Sequence, residues 1–212
     1  MQLYYSPLAC SLAAHMVCRE AGLDFTLHRS ELVTKRVEDG RDLRTVNPMG
    51  QVPTLVTDDG RVLTENSAVL AYLADQRPAH RLAPERDGFE RYELMRWLSL
   101  VGTEVHKKCL ALVYDPTSPD AVKDFARVAI ARPLAVLEGH LVSRDFLVGD
   151  AFTVADAYLL WALMLLPRAG VPLDDYPTLR AYQKRLMARP AVREAVAFER
   201  AAYERPFEAA AQ

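Results

Sequence analysis

Cysteine is scarce in this chain. Its 212 residues include three, Cys10, Cys18 and Cys109, an odd number with neither a CxxC pair nor the ligand spacing of a zinc site. A disulfide framework and a metal centre are both excluded as organising devices. A dominant charge is lacking as well. Lys and Arg total 26 against 28 Asp and Glu, a formal net charge of -2, so no global field recruits nucleic acid or an anionic membrane, and an anionic ligand must be held by local groups. Long apolar runs are also missing: AYLLWALMLL at 157–166 is about half of the ~20 residues a membrane-crossing helix needs, and Pro167-Arg168 ends it. It reads as a buried helix. Met1 leads straight into strand-like residues, without the basic, apolar and small-residue succession of an export signal. The expected setting is a reducing cytoplasm, with no nucleic-acid or membrane partner.

Half of the residues are hydrophobic and a quarter charged, enough for one large domain or two small ones. The first eighty alternate short β-rich runs with helical patterns. QLYY (2–5) reads as a strand, and positions 10–22 read as a helix with Leu12, Ala13, Met16, Val17 and Ala21 on one face and Gly22 as its stop. DFTLHR (24–29) is a second strand. TLVTD (54–58) and RVLTE (61–65) flank Asp59-Gly60, a hairpin signal, and a helix follows from 66 to 76. This order predicts a small mixed sheet covered by helices. RPAHRLAPERDG (77–88) reads as a linker. Helical patterns then occupy 88–113, 120–143, 154–166 and 177–188, with a shorter one after Pro190 and an Ala-rich tail after Pro206. The expected fold class is α/β followed by all-α.

Several segments carry chemistry. In YYSPLACSL (4–12) a strand runs through a proline into Cys10, where the first helix opens. Unpaired amides and the positive end of the helix dipole favour an anion there and lower a thiol pKa; a small cysteine buried under a turn is the structural alternative. Cys18 lies roughly 12 Å farther along the same helix, beyond the ~7 Å Cα limit of a disulfide. Cys10 would therefore exchange with a thiol from outside the chain. NPMGQVPTLV (47–56) leads through Val52-Pro53 into a strand, where a proline is tolerated at the start. A cis bond there would turn the Val52 amide and carbonyl outward, able to pair with an extended peptide. In LTENSAVLAYL (63–73), Asn66 and Ser67 are good helix caps, the helix start suits a carboxylate, and Glu65 suits an ammonium. Ser99, Thr103 and His106 recur at α-helical spacing and would share one face. Thr153 and Asp156 form a capping box before the apolar run, a folding feature.

Together and in order, YYSPLACSL, VNPMGQVPTL, LTENSAVLAYLAD, TEVHKK and FTVADAYL resemble the cytosolic glutathione S-transferases, in particular their bacterial beta class, across essentially the whole chain. The resemblance implies a thioredoxin-like, glutathione-binding domain over 1–80 and an all-helical domain over 88–212 contributing the electrophile pocket. It also implies a homodimer, and reduced glutathione as co-substrate with no further cofactor and no metal. Residue by residue, it places Cys10 beside the glutathione sulfur, able to form a mixed disulfide, and Lys35 on the glycyl carboxylate. Val52 before Pro53 would pair with the cysteinyl unit, and Glu65 with Asn66 would hold the γ-glutamyl end. Thr103, Glu104 and His106 match the helical segment facing the sulfur, with His106 its polar contributor and Lys107 beside it; Tyr5 and Ser11 match positions near the thiol. Two departures stand out: Asn66 replaces a common Ser, and Ser99 replaces an Asn that would contact glutathione. Leu8, Leu32, Leu112 and Tyr114 are the expected apolar walls.

Three readings follow. The favoured one is conjugation of glutathione to small hydrophobic electrophiles, a detoxification chemistry in which Cys10 and His106 position and polarise the sulfur. The second is glutathione-dependent disulfide reduction or deglutathionylation with Cys10 as nucleophile. The third, from another class, is a ligand-binding or scaffold protein without turnover.

Overall fold

The computed structural model describes residues 1–210; Ala211 and Gln212, the end of the Ala-rich tail, lie outside the described residues. Contacts gather into two units, Met1–His80 together with the chain from Pro190 onward, and Arg81–Arg189.

The first unit is built on a four-stranded sheet of order β2-β1-β3-β4, from β1 (Gln2–Tyr5), β2 (Thr26–Arg29), β3 (Thr54–Val56) and β4 (Val62–Leu63). β1 and β2 are parallel, so they require a crossover, which α1 (Ser11–Glu20) supplies. The other pairs are antiparallel, and Leu3 sits opposite both Leu27 and Leu55. The turn between β3 and β4 closes where Asp59-Gly60 predicts it: Gly60 takes φ +80, and the Thr57 amide donates to the Arg61 carbonyl. Glycine adopts that angle without the steric cost a side chain would bring. α2 (Asn66–Asp75) and α9 (Pro190–Glu204) both pack on α1. Ser11 to Cys18 are consequently all buried, where the sequence suggests one apolar face. The final helix, read from sequence as a short element of the helical domain, runs fifteen residues and joins the first unit. The β-α-β and β-β-α order is the thioredoxin-like arrangement that the family resemblance implies.

In the second unit α3 (Phe89–Leu100) continues without a break through Val101–Leu110 into α4 (Ala111–Tyr114). The middle stretch is a π-helix; at its end the Ala111 amide donates to the His106 carbonyl, five residues back. The pattern at 120–143 splits into α5 (Asp120–Ala129) and α6 (Ala131–Leu141). Pro133 explains the break, since it has no N–H to continue the ladder to the Ala129 carbonyl. α7 (Val154–Leu165) is buried on every side from Val154 to Leu163, and α8 (Pro177–Met187) starts with its Thr178 and Leu179 amides donating to the Glu138 carboxylate. No helix among the described residues is long and apolar enough to cross a membrane.

The capping box at the start of α7 forms as the sequence predicts. Asp156, 0% exposed, accepts from the Thr153 amide and hydroxyl at 2.7 and 2.8 Å, from the Leu147 amide at 2.8 Å, and from the Tyr182 hydroxyl at 2.7 Å. One carboxylate thus fastens α8 and the preceding loop to α7. Asp156→Ala leaves those donors buried without an acceptor, each at about 1–3 kcal/mol. We expect a loss of about 3–5 kcal/mol, a fall in melting temperature of roughly 10 °C for a domain this size, read by calorimetry.

Candidate functional site

Cys10 stands directly before α1 with helical backbone angles, and its thiol donates to the Val52 carbonyl at 3.1 Å. Two first-turn amides are already occupied: Leu12 donates to the Ala9 carbonyl and Ala13 to that of Cys10. The helix start is thus narrower as an anion site than the sequence suggests, and it holds Cys10 as a hydrogen-bond donor. Ser11 is 0% exposed; its hydroxyl donates to the Ser6 carbonyl and accepts from the Ser6 amide. The side chain therefore braces the turn from within.

That turn is held from α9. Leu8, at φ +62, donates its amide to Glu199 Oε2 at 2.8 Å. Glu199 Oε1 lies 2.9 Å from His15 Nδ1, and Arg19 Nε donates to His15 Nε2 at 2.9 Å. Because Nε2 accepts from Arg19, the imidazole proton resides on Nδ1 and is donated to Glu199. Both side chains are 0% exposed. Burial, reinforced by the Arg19 guanidinium, lowers His15 to a pKa of about 3, while burial pushes the Glu199 carboxyl up. Tyr5, tilted against the His15 and Phe198 rings, is raised to about 12 by burial and by Glu199, so its hydroxyl keeps its proton. His15, Arg19 and Glu199 are not evident from the sequence. Their one signal is a titratable residue interrupting the apolar run LAAHMV, and its partner is 184 residues away.

Val52 and Pro53 are buried, and the peptide between them is cis. The segment before them is clamped by Asn47, whose amide donates to the Gln51 carbonyl and the Thr54 hydroxyl and accepts from the Met49 amide. At Gly50, φ +57, a Cβ would come within 3.0 Å of the Arg44 side chain and 3.3 Å of that of Lys35. The glycine lets both cationic stems pass. Lys35 also lies at positive φ, +62, in a loop closed by its amide donating to the Glu31 carbonyl and the Leu43 amide donating to its own. Among the described residues its ammonium has neither a hydrogen bond nor an ion pair.

The start of α2 differs from expectation. Glu65, exposed and strained at φ 65 and ψ 120, occupies the cap position, and no side chain caps the helix. Asn66, the first helical residue, is 7% exposed, and neither its amide nitrogen nor its amide oxygen has a hydrogen-bond partner. Leaving such groups unmatched costs about 1–3 kcal/mol each. The first unit thus brings an exposed carboxylate beside an unsatisfied buried amide at an uncapped helix start.

In the second unit the expected polar stripe keeps Ser99 and Thr103 and loses His106. Ser99 and Thr103 are exposed, and the Thr103 hydroxyl donates to the Ser99 carbonyl at 3.0 Å. Glu104 pairs with Lys108 at 3.0 Å, and Lys107 is exposed. His106 instead packs on α7, its Nδ1 2.7 Å from the Tyr158 hydroxyl and its ring edge-on to Trp161. The wider π geometry from Val101 to Leu110 is the reason, since α-helical i, i+4, i+7 alignment fails there. Burial, with Lys107 adding to it, lowers His106 to about 4. Of the expected apolar walls, Leu32 and Tyr114 are exposed, and the Tyr114 hydroxyl donates to the Leu165 carbonyl. Cys18 and Cys109 are 0% exposed, and burial raises their thiols to about 12 and about 11. Among the described residues no group of three or more His, Cys, Asp or Glu side chains is arranged to hold a metal ion.

Family models match both parts of the chain. The family model for the glutathione S-transferase N-terminal domain matches residues 9–76, and that for the C-terminal domain matches 100–190. Glutathione S-transferase GstA of Escherichia coli O157:H7 is 38% identical over 199 residues, covering 94% of this chain and 98% of that protein. A sphingomonad glutathione S-transferase solved in complex with glutathione superposes with a TM-score of 0.90 at 42% identity, covering 94% of this chain and 98% of the other. The beta-class enzyme of Sphingomonas chungbukensis gives 0.91 at 42% over the same shares.

His106 generates a pH prediction. Its pKa is about 4 when folded and about 6.5 when unfolded, so the unfolded chain binds the extra proton between those values. The stability it contributes is full above pH 6.5 and is lost as pH falls toward 4, by roughly 3 kcal/mol. Chemical denaturation across pH 4–8 should show this slope reduced in His106→Asn; an unchanged slope would remove His106 as its source.

Proposed function

The chain belongs to the glutathione S-transferase family, and from that premise we propose that it conjugates reduced glutathione, through its sulfur, to small hydrophobic electrophiles. The observation that carries the reading furthest is the start of α2. There the buried Asn66 amide lacks partners and Glu65 is held exposed at positive φ. An α-amino acid end supplies what this place needs: its carboxylate and ammonium complement the helix-start amides, the Asn66 amide and the Glu65 carboxylate. Lys35 offers an unengaged cation for a second carboxylate, and Val52 offers backbone groups to the peptide between the two ends.

In the reaction the glutathione thiol loses its proton to solvent, the thiolate forms a carbon–sulfur bond with the electrophile, and the leaving group departs with its bonding electrons. A free thiol with a pKa near ~8.5 is a few per cent ionised at pH 7, so complete ionisation gains at most roughly thirtyfold. Larger acceleration comes from holding sulfur and electrophile together. Cys10 serves as a donor to the thiolate, exchanging the Val52 carbonyl for the anion as acceptor. We assign Tyr5 and Ser11 to the support of the Cys10 turn.

The protein acts as a homodimer in the cytoplasm. Phe89, Tyr92 and Met95, 75%, 65% and 57% exposed at helical spacing along α3, make an apolar face that a second copy would cover. Three free cysteines suit a reducing compartment.

Asn66 separates this reading from its rivals. Asn66→Ala removes two unsatisfied buried polar atoms, so the free protein should gain stability, by about 1 kcal/mol or more. The same change removes ligand partners, so KM for glutathione should rise about tenfold in conjugation to chlorodinitrobenzene. Loss of stability together with unchanged KM would contradict the assignment. A native protein that reduces a glutathione mixed disulfide but does not conjugate would favour Cys10 as a nucleophile.

A further inference from the structure

Beyond α9, residues 205–210 are exposed except for the half-buried Phe207, yet they are tied back to the first unit. Arg29, the last residue of edge strand β2, is 7% exposed, and its guanidinium donates to the Arg205 carbonyl at 3.0 Å and the Pro206 carbonyl at 3.4 Å. The Phe207 ring lies 5.4 Å from the same guanidinium, and the Glu38 carboxylate is 3.5 Å from it. Farther on, the Ala210 amide donates to the Glu38 carbonyl at 2.9 Å, while the Glu38 amide donates to the Arg29 carbonyl at 2.9 Å. Burying a guanidinium is costly unless it is hydrogen-bonded. The two carbonyls it uses come from the tail, while its Nε is buried without a hydrogen-bond partner, so Arg29 holds the tail and the tail satisfies only the two terminal nitrogens of Arg29.

Glu38 sits in the loop that carries Lys35. That loop is bridged at Ser30–Val37 and Arg36–Asp42, and Lys35 stands in it at φ +62. A side-chain-bearing residue keeps such an angle only when its surroundings fix it. The tail reaches the loop's outer arm, while Arg36–Asp42 and the Leu43 amide hold the arm that returns past Lys35.

We propose that Arg205–Ala210 is a strap that fixes the Lys35 loop, and that Arg29 and Ala210 are positioning residues setting affinity for the glycyl carboxylate of glutathione. The proposal rests on the glutathione reading above. It predicts that the strap acts through one end of the ligand only: loosening the loop weakens the Lys35–carboxylate contact and leaves the γ-glutamyl end, the sulfur and the electrophile undisturbed.

Two variants test it. A chain ending at Glu204 lacks the strap, and Ala210→Pro in the full chain removes the single N–H that bonds Glu38, which keeps the test alive if the shortened chain folds poorly. Binding of glutathione and of its glycyl ethyl ester is measured by calorimetry, and KM and kcat by conjugation to chlorodinitrobenzene. We expect the shortened chain to bind glutathione about tenfold more weakly and Ala210→Pro about threefold. Expected alongside are unchanged kcat at saturation, little change for the ester, and no further loss when Lys35→Ala is added. Native-like affinity in both variants, or equal weakening for glutathione and ester, overturns the strap while leaving the glutathione reading intact. A native protein that binds neither ligand overturns the glutathione reading, and the strap's assigned role with it.

Discussion

A carboxylate and an imidazole, both without solvent contact, hold the first unit together. Glu199 reaches from α9 to His15 in the middle of α1, and Arg19 completes the row from the other side of the ring. Burying Glu199 and the imidazole without partners would be prohibitive; here each has two, and removing a member of such a set costs about 3–5 kcal/mol because it strands the others. The pair also accounts for the path of the chain. α9 must come back to the first unit because α1 is sealed on every side and contains a histidine that needs an acceptor. The same carboxylate accepts from the Leu8 amide, and so ties the turn before Cys10 to the far end of the sequence.

The rest of the site is organised by small conflicts that the fold tolerates. Leu8, Lys35 and Glu65 all carry side chains at positive φ, Asn66 has a buried amide with no partner, and Lys35 has an unengaged charge. Sites of this kind persist where surrounding structure over-determines them, and they concentrate where ligands bind. Each has a visible restraint: Glu199 on Leu8, the bridged loop and the tail around Lys35, and the β3–β4 hairpin leading into Glu65. In the helical unit the restraint is Asp156, which is saturated with donors and fixes α7 as the wall on which His106 rests.

Local features were legible in the sequence because they depend on local chemistry. The alternation of short strands and helices, the Asp59-Gly60 turn and the Thr153–Asp156 box each follow from a few neighbouring residues. The family resemblance supplied the thioredoxin-like arrangement. What did not appear depends on distance or on packing. His15 looks like an ordinary interruption of an apolar run until Glu199 is brought to it. The alignment of Ser99, Thr103 and His106 assumed α-helical spacing, and only the packing of this stretch against α7 and α5 reveals the wider turn. Asn66 read as a cap, yet it begins the helix with its side chain turned inward.

A neutral His15 bridges Arg19 and Glu199 beneath the Cys10 turn. Histidine nitrogen resonances of the full-length protein, followed from pH 5 to 8, test it most directly. His15 is expected to stay neutral with its proton on Nδ1 throughout, and to lose that signature in Glu199→Gln. A His15 that titrates near the ordinary value of about 6.5, or that carries its proton on Nε2, would contradict it.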